Sequence, residues 1–586
     1  MKKNIVITGA GIISAIGNCK ESVLESLKKQ KTGIEKIKIL DTVHKDFPSG
    51  EVKMTDSQLK SSLEIPQNKL ISRNALLGIY AAKEALLQAG ISKENKNGKK
   101  IFFISGTTVG GMDLTEKFYK DFPQNTECLK QHDSGSCTDL TAEYFGFFDN
   151  VITISTACSS AANALILASR LIKAGKADIV VAGGAEALTK FHLNGFNSLM
   201  IIDKEICKPF DKDRAGLNLG EGAAYVVLET SESAKSRNAS ILTYLVGSAN
   251  TCDAFHQTAS SPEGNGAYNA MKQALEEAGL SPKEIDYINA HGTGTPNNDE
   301  SESQALKRIF TDQMPLFSST KSLTGHTTSA SGAIESVICI LAMQNNFVPG
   351  NLGFENKMEN FDFSPTKENT PKILKNVICN SFGFGGNDSS LIFSVNPPKE
   401  NAKEFVYNEE IKLETPIKVE INSEEELSKL KNSLKPAESR RLCKIMKTSL
   451  LTSLEALSKA EIQTPDAIIT ATTLGCWENS EKLLEQITFE GEEMLKPTLF
   501  MQSTHNTIGS NIAIKTGCKG YNITYTQGKN SMKCAMEDAI LLLKSGMCKN
   551  VLIGLHDETT KKYRELTNQT DLPEIHSVAI IIKTAE

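Results

Sequence analysis

Residues 151–184 read VITISTACSSAANALILASRLIKAGKADIVVAGG, and residues 522–554 read NITYTQGKNSMKCAMEDAILLLKSGMCKNVLIG. Each stretch has an apolar run typical of a strand, a short turn, a helical stretch and a second apolar run. Earlier in the chain, SGTTVGG at 105–111 matches TATTLGC at 470–476 in the same order. The chain therefore repeats part of itself, and this alternation of strands and helices predicts a layered α/β architecture.

Further segments continue the alternation and divide the chain. Apolar runs predict strands over residues 4–8, 101–105, 151–155 and 179–182. Small and apolar residues on one face predict helices over Arg73–Ala89 and Ala161–Ala174. The stretch NPPKENAK at 396–403 is polar and contains two prolines, so we place a linker there. We divide the chain into 1–235, 236–397, the linker at 398–403 and a C-terminal domain, 404–586. The C-terminal domain ends before any equivalent of 240–395, so it is half a unit.

Composition excludes several classes of protein. With 586 residues, 40% hydrophobic and 23% charged, the chain resembles neither a disordered protein nor a disulfide scaffold. A formal net charge of −6 gives no bulk attraction to nucleic acid. The 13 cysteines form no CxxC pair, which predicts reduced thiols, no zinc site and a cytoplasmic location. No apolar run reaches the ~18 residues of a transmembrane helix, so we expect no membrane span.

Cys158, in STACSS at 155–160, is the first candidate for chemistry. It stands between a predicted strand and the N-terminus of a predicted helix, where backbone N–H groups and the helix dipole favour the thiolate. Its small neighbours let a substrate approach the backbone closely. A single cysteine is more often a buried structural thiol, so this interpretation needs partners elsewhere in the chain.

Two histidines supply such partners. His291 lies in INAHGTGTP at 288–296, and His326 follows Lys321 in STKSLTGH at 319–326. Each histidine is flanked by Gly and Thr at a predicted strand-to-helix junction. A nucleophile with two imidazoles fits acyl transfer, in which hydrogen-bond donors stabilise an oxyanion and an enolate.

A glycine-rich stretch, NSFGFGGN at 380–387, completes the set. Its alternating Gly and Phe predict a mobile backbone with N–H groups available to donate and a bulky apolar plug. The alternative is a glycine-rich β-hairpin with phenylalanines in the core. A dinucleotide site at Gly9–Gly11 is a weak alternative use of the first strand, because Ser14 replaces the third glycine of that motif.

These four motifs, in this order across 1–397, resemble the β-ketoacyl-acyl-carrier-protein synthases of the thiolase superfamily, of the type II kind. The resemblance implies an α/β, thiolase-like five-layer αβαβα fold, split near residue 235, and a dimer formed through the strand that carries Cys158. The C-terminal domain resembles a degenerate N-terminal half of the same family. It implies an additional α/β half-thiolase domain.

The resemblance also implies roles for individual residues. Cys158 accepts the acyl chain, while His291 and His326 assist malonyl decarboxylation and stabilise the enolate. Lys321 orients or tunes His326, with Glu335 in support. The N–H groups of Cys158 and Phe384 form the oxyanion hole, and Phe384 gates the site. Residues matching the family's substrate contacts are Val109, Thr258, Thr293, Thr295, Gly383 and Gly385. Lys208 matches a basic contact to the carrier protein.

The expected function is that of a β-ketoacyl synthase. It joins malonyl-acyl carrier protein to a Cys-bound acyl chain by decarboxylative Claisen condensation, in fatty acid or in polyketide or pigment-type elongation. Expected partners are acyl carrier protein, malonyl and acyl thioesters, and a second ketosynthase-like subunit in a homodimer or heterodimer. We expect no metal and no cofactor beyond the phosphopantetheine that the carrier protein brings.

The C-terminal domain is expected to be inactive. Lys529 stands at the position that matches Cys158, and the segments that would carry both histidines are missing. Two alternatives remain for the whole chain. One is a non-catalytic scaffold of the chain-length-factor type, and the other is Claisen chemistry on coenzyme A substrates. Ser329 and Ser331 depart from the small Gly and Ala that the family prefers after His326.

Overall fold

A computed structural model describes residues 3–430, 439–440, 442–493 and 495–585. Residues 1–235 form strands β1 (Ile5–Ser14), β2 (Glu35–Lys36), β3 (Pro48–Ser49), β4 (Ile101–Gly106), β5 (Asn150–Ile154), β6 (Ile179–Glu186) and β7 (Gly222–Thr230). The helices are α1 (Lys20–Lys28), α2 (Asp56–Ser62), α3 (Arg73–Ala89), α4 (Met112–Phe118), α5 (Ser134–Phe145), α6 (Ser160–Lys173), α7 (Lys190–Ser198) and α8 (Ser231–Ser236). The predicted strands and helices are all present; β1 ends six residues and β6 four residues beyond the predicted ends, and the other ends shift by one residue at most.

Residues 236–397 continue with strands β8 (Thr243–Cys252), β9 (Tyr287–Asn289), β10 (Leu316–Ser318), β11 (Phe347–Val348), β12 (Thr370–Pro371), β13 (Asn376–Gly383) and β14 (Asn387–Ser394). Their helices are α9 (Asn265–Ala278), α10 (Pro296–Ile309), α11 (Lys321–Thr324) and α12 (Ser331–Asn345).

The C-terminal domain contains strands β15 (Ile417–Ile421), β16 (Ala467–Ala471), β17 (Tyr521–Tyr525), β18 (Asn550–Glu558) and β19 (Ile575–Lys583). Its helices are α13 (Glu424–Leu430), α14 (Lys444–Lys459), α15 (Trp477–Glu485), α16 (Pro497–Met501), α17 (Thr507–Thr516), α18 (Ser531–Lys544) and α19 (Lys561–Thr567).

Helices and strands of residues 1–397 alternate in five layers. The strand segments β5-β4-β6-β7-β1 and β8-β14-β13-β9-β10 are neighbours in one sheet. Helices α6 and α12 pack between the two segments, α3 and α5 cover the outer face of the first, and α9, with α10 against it, covers the second. The central helices are apolar almost all round, because both of their faces are buried. The predicted αβαβα arrangement is confirmed.

The C-terminal domain repeats the first segment and extends the same sheet. Its strand order, β17-β16-β18-β19-β15, corresponds to β5-β4-β6-β7-β1, and the sheet reaches 15 strands. Helix α18 packs on β16, β17 and β18, and α14 on the opposite side against β15, β18 and β19. The additional half-unit predicted from the repeat is therefore present as a folded α/β layer set.

Strand β5, which leads to Cys158, pairs antiparallel with β17 of the same chain, with Ile154 opposite Tyr525. A buried ion pair supports this junction, since Arg170 on α6 donates to Asp538 on α18 at 2.7 Å. The hydroxyl of Tyr521 donates to the other carboxylate oxygen at 2.8 Å. The resemblance implied that a second subunit would pair along β5. That implication is wrong for this chain, because the edge of β5 is already occupied.

The connection between the repeats is longer than the predicted linker at 398–403. Strand β14 ends at Ser394 and β15 begins only at Ile417. This connection lies against both parts of the molecule: the Asn408 N–H donates to the carbonyl of Lys544 at 2.9 Å. The Tyr407 hydroxyl donates to the carbonyl of Arg170 at 3.4 Å.

All 13 cysteines are unpaired thiols. Among the helices that the structure describes, none combines the length and the apolar character needed to cross a membrane.

Candidate active site

Cys158 stands in a sharp turn between β5 and α6. Ala157 adopts a φ of +52°, a left-handed conformation that L-residues rarely take. The Ser160 hydroxyl holds the turn by accepting the Thr156 N–H at 2.9 Å and donating to the Ala157 carbonyl at 2.6 Å. The turn thus presents the Cys158 thiol at the N-terminus of α6, as the sequence predicted, with 6% of the residue exposed.

His326 is the side chain in direct contact with the thiol. Its Nε2 lies 3.1 Å from Sγ of Cys158, and its Nδ1 lies 3.0 Å from the hydroxyl of Ser331. The hydroxyl of Ser331 can either donate or accept, so it supports both tautomers of the imidazole. Ser331, singled out in the sequence as a departure from the family pattern, therefore holds the ring that faces the nucleophile.

Burial decides the protonation of this pair. It raises the pKa of the Cys158 thiol to about 12, although the Lys321 ammonium and the N–H groups of Phe384 and Cys158 act in the opposite direction. Burial and the same ammonium hold the pKa of His326 well below its usual value. The resting pair is a neutral thiol and a neutral imidazole. The N–H groups favour the thiolate as expected, but they do not outweigh burial.

His291 faces His326 across the site, with ring centroids 5.3 Å apart and nearly perpendicular planes. Lys321 lies 3.4 Å from Nδ1 of His291 and forms a buried ion pair with Glu335. An ammonium has only donors, so it makes Nδ1 an acceptor and leaves the proton of a neutral His291 on Nε2. The contact of Lys321 is therefore with His291, whereas the family resemblance implied a contact with His326. Its charge nevertheless lowers the pKa of both rings.

The loop that carries His291 is held by two buried carboxylates that sequence reasoning missed. Glu302 accepts the N–H groups of His291 at 3.0 Å and Gly292 at 2.8 Å. Asp299 accepts the Thr293 N–H at 3.0 Å. Asp299 and Glu302 stand three residues apart on α10, just after the histidine motif. That spacing of two carboxylates on one helix face was a readable signal.

A cleft of about 320 Å³ opens onto the three reactive side chains. Of the predicted substrate-binding residues, the structure brings four to this cleft: Thr258, Thr293, Thr295 and Gly383. Phe384 also lines it, together with apolar residues that include Phe196, Leu199 and Leu217. The cleft is thus polar along the threonine side and apolar on the opposite side.

Phe384 belongs to the gate loop, which we define as residues 383–386. Its N–H is directed at Sγ of Cys158. Its ring stacks on Phe196 at 5.7 Å, and Phe196 in turn contacts Phe500 of the C-terminal domain at 5.2 Å. A Cβ on Gly383 would lie 3.2 Å from the Cys158 nitrogen, so glycine permits this close approach. The geometry fits the predicted positions of an oxyanion hole and a gate.

Three of the residues predicted to contact the substrate or the carrier protein lie outside the cleft. Gly385 faces the C-terminal domain instead, with a φ of +82°. Val109 lines a separate small cavity of about 20 Å³ at the junction of the two repeats, together with His132, Phe191, Phe500 and His505. Lys208 stands partly exposed on the loop before Phe210 and is not among the residues that line the cleft.

The reactive trio also has the donor types of a metal site. The ligand atoms of Cys158, His291 and His326 lie within 4.8 Å of one another, and zinc takes such donors. The Lys321 ammonium, 3.4 Å from His291, opposes a second cation at this position. We therefore interpret the trio as a nucleophile with two imidazoles.

The position in the C-terminal domain that matches Cys158 does not have the surroundings of a catalytic site. Lys529 is exposed at the start of α18, with no cleft of histidines around it in the described residues. The C-terminal domain instead reaches toward Cys158: Nδ1 of His505 lies 3.2 Å from the hydroxyl of Ser155. Nothing in the sequence around His505 signalled this contact.

Comparison with known proteins follows the division of the chain. The profile of the β-ketoacyl synthase N-terminal domain matches residues 2–234, and that of the C-terminal domain matches 242–355. A second profile of the N-terminal domain matches 416–586. The chain is 33% identical to 3-oxoacyl-[acyl-carrier-protein] synthase 2 of Coxiella burnetii, over 67% of this chain and 99% of that protein.

Solved structures give the same fold. The ishigamide ketosynthase/chain length factor is 28% identical, with a TM-score of 0.63, and the match covers 68% of this chain and 100% of that one. The PfaC keto synthase–chain length factor matches 100% of this chain and 78% of its own, with a TM-score of 0.81. At 16% identity, that second likeness shows the fold alone, including the arrangement of the repeats.

Proposed function

This chain belongs to the β-ketoacyl synthase family of acyltransferases, and from that premise we propose that Cys158 carries the acyl chain while His291 and His326 drive its condensation with a malonyl thioester. The single observation that supports this assignment most strongly is the 3.1 Å contact between Cys158 Sγ and Nε2 of His326 beside the cleft.

The first half-reaction loads the enzyme. His326 takes the thiol proton at Nε2 while Sγ of Cys158 attacks the acyl thioester carbonyl. The oxyanion that forms is met by the N–H groups of Cys158 and Phe384. The carbon–sulfur bond of the incoming thioester then breaks, and the leaving thiolate takes the proton from His326.

The second half-reaction forms the new carbon–carbon bond. The malonyl carboxylate leaves as CO₂, and the electron pair of the broken bond becomes an enolate on the thioester. The Nε2–H of His291, set by the Lys321 contact, donates to the enolate oxygen. The enolate carbon attacks the acyl-Cys158 carbonyl, Cys158 leaves as a thiolate, and a solvent proton entering through the cleft restores the thiol.

The partners and location follow the same reasoning. We propose that acyl carrier protein delivers both thioesters on its phosphopantetheine arm, with Lys208 in the docking surface and no other cofactor. The C-terminal domain takes the place of a chain-length-factor subunit within the chain, because β17 occupies the edge of β5. A homodimer, if formed, uses another surface. The unpaired cysteines fit a reducing cytoplasmic setting.

Intact-mass spectrometry after incubation with acyl-loaded carrier proteins tests the proposal. We expect an acyl mass on the wild type, none on Cys158→Ala, and full loading on Cys128→Ala, another buried thiol. Absence of loading from every carrier protein and from acyl-coenzyme A would support the scaffold alternative. Faster loading from coenzyme A thioesters than from carrier protein would support the coenzyme A alternative.

A further inference from the structure

We propose that Asn506 of the C-terminal domain is a positioning residue that holds the gate loop closed over Cys158. This inference rests on the proposed function, because it gives a residue of the inactive repeat a part in the reaction of the active one. Its basis is a hydrogen bond between the two: Nδ2 of Asn506 donates to the carbonyl oxygen of Phe384 at 2.8 Å.

The sequence position of Asn506 makes this bond notable. Asn506 is the N-cap of α17, where an asparagine side chain ordinarily accepts a backbone N–H of the first helical turn. Here no side-chain cap bond is formed. The side chain is fully buried, and its amide is directed across the domain junction to the gate loop. Asn506 therefore uses its side chain for a contact outside its own helix and not for capping.

The peptide groups on the two sides of Phe384 have different partners. The N–H of Phe384 is directed at Cys158, as described above, while its carbonyl belongs to the next peptide group and is bound by Asn506. The N–H of Gly385 donates to the Gln257 carbonyl at 2.8 Å. The gate loop is thus fastened to the active repeat on one side and to α17 on the other.

Close packing at Gly385 adds to the hydrogen bond. A Cβ on Gly385 would lie 2.1 Å from the Ser510 hydroxyl and 2.9 Å from Nδ2 of Asn506, so the first turns of α17 lie directly on the loop backbone. The main chain of Phe384 cannot move away from α17 without breaking the Asn506 bond and this packing contact. The amide therefore favours the closed position of the gate.

The closed gate separates two spaces. On one side lies the cleft at Cys158, and on the other lies the small cavity beside Val109, with Phe384, Phe196 and Phe500 between them. A two-carbon acyl group fits within the cleft. In this proposal an eight-carbon chain extends from Cys158 past Phe384 toward that cavity, so its loading displaces the gate loop and breaks the Asn506 bond.

The test measures loading of Cys158 from acetyl- and octanoyl-loaded acyl carrier protein by rapid quench and intact mass. Asn506→Leu keeps the approximate volume and removes the donor, and Asn506→Asp puts a carboxylate against the carbonyl. We expect the octanoyl-to-acetyl ratio of loading rates to rise about 2- to 10-fold in both variants, the equivalent of one hydrogen bond. The ratio is the readout, because the loop that Asn506 holds also carries the Phe384 N–H of the proposed oxyanion hole: a looser loop slows both loading reactions through the oxyanion hole, whereas the gate acts on octanoyl loading alone.

Asn511→Leu is the matched control on the same helix, since the side-chain amide of Asn511 donates no hydrogen bond in the described part of the chain. Its ratio should equal that of the wild type. An unchanged ratio in both Asn506 variants, while acetyl loading is still measurable, would overturn the inference and leave the proposed function standing. Failure of the wild type to load either group would overturn the proposed function, and the inference with it. Unfolding of Asn506→Leu would show in the fluorescence of the buried Trp477, in which case Asn506→Asp decides.

Discussion

The N–H of Ser155 donates a 2.9 Å hydrogen bond to the carbonyl oxygen of Thr524. The N–H of Thr526 returns one of 3.0 Å to the carbonyl oxygen of Thr153. Ser155 and Thr526 hold matching positions in the two repeats, so the bonds are related by an approximate twofold axis. The strand that positions the nucleophile is therefore paired with the matching strand of the second repeat.

Breaking the buried ion pair at this junction should destabilise the fold. In Asp538→Ala the guanidinium of Arg170 is left buried without its partner, and we expect a loss of about 3–5 kcal/mol in the free energy of unfolding. Urea unfolding followed by Trp477 fluorescence measures it. Asp46→Ala, which breaks an exposed pair with Lys36, should cause no measurable change. The double variant Arg170→Leu/Asp538→Leu should recover most of the loss, and equal losses in single and double variants would contradict the argument.

The sequence predicts the parts of the fold and of the site that depend on neighbouring residues. Cys158 and both histidines were predictable because each stands in a turn whose Gly, Ser and Thr residues act within a few positions. Lys321 contacts His291 and not His326 because of the way α11 packs against its neighbours, and no local sequence pattern predicts that packing. The pairing of β5 with β17 and the contact of Asn506 join residues hundreds of positions apart. Those contacts depend on how the two repeats pack against each other, which the local sequence does not indicate.

Ser331→Ala should slow acylation of Cys158. The variant removes the hydrogen-bond partner of His326 Nδ1, so the ring loses a contact that orients it toward Cys158. We expect the single-turnover acylation rate to fall about 2- to 10-fold. Ser336→Ala on the same helix removes a hydroxyl that donates to the Gly332 carbonyl and to Sγ of Cys379, neither of which lines the cleft, and it should acylate at the wild-type rate. Equal rates in Ser331→Ala and wild type would assign Ser331 to packing alone.

The raised pKa of Cys158 predicts an unusual pH profile for alkylation. An ordinary thiol has a pKa of about 8.5, so its rate of reaction with iodoacetamide levels off above that value. With a pKa near 12, the thiolate fraction of Cys158 keeps rising through that range, and so should its rate. Lys321→Met removes a charge that lowers this pKa and should be alkylated more slowly at each pH. A plateau below about pH 9 would contradict the profile.

Alanine at Gly385 should destabilise the fold more than alanine at another glycine with a similar backbone conformation. Gly385 and Gly546 have φ values of +82° and +69°, and both substitutions carry the strain of about 1 kcal/mol or more that a side chain meets there. Only the Gly385 variant also meets the Ser510 hydroxyl, whereas a Cβ on Gly546 meets nothing within 4 Å. The midpoint temperature of thermal unfolding and the condensation rate should both fall further in Gly385→Ala than in Gly546→Ala. Ser510→Gly should restore part of the loss.

The connection over residues 395–416 has a consequence for how the working unit assembles. Because it ties the two repeats into one polypeptide, every translated chain brings one reactive centre and one companion half, in a fixed one-to-one stoichiometry. Docking of the companion becomes an intramolecular event at an effective concentration of about millimolar, whatever the amount of protein present. Dilution that would separate two independent subunits should therefore leave this assembly intact.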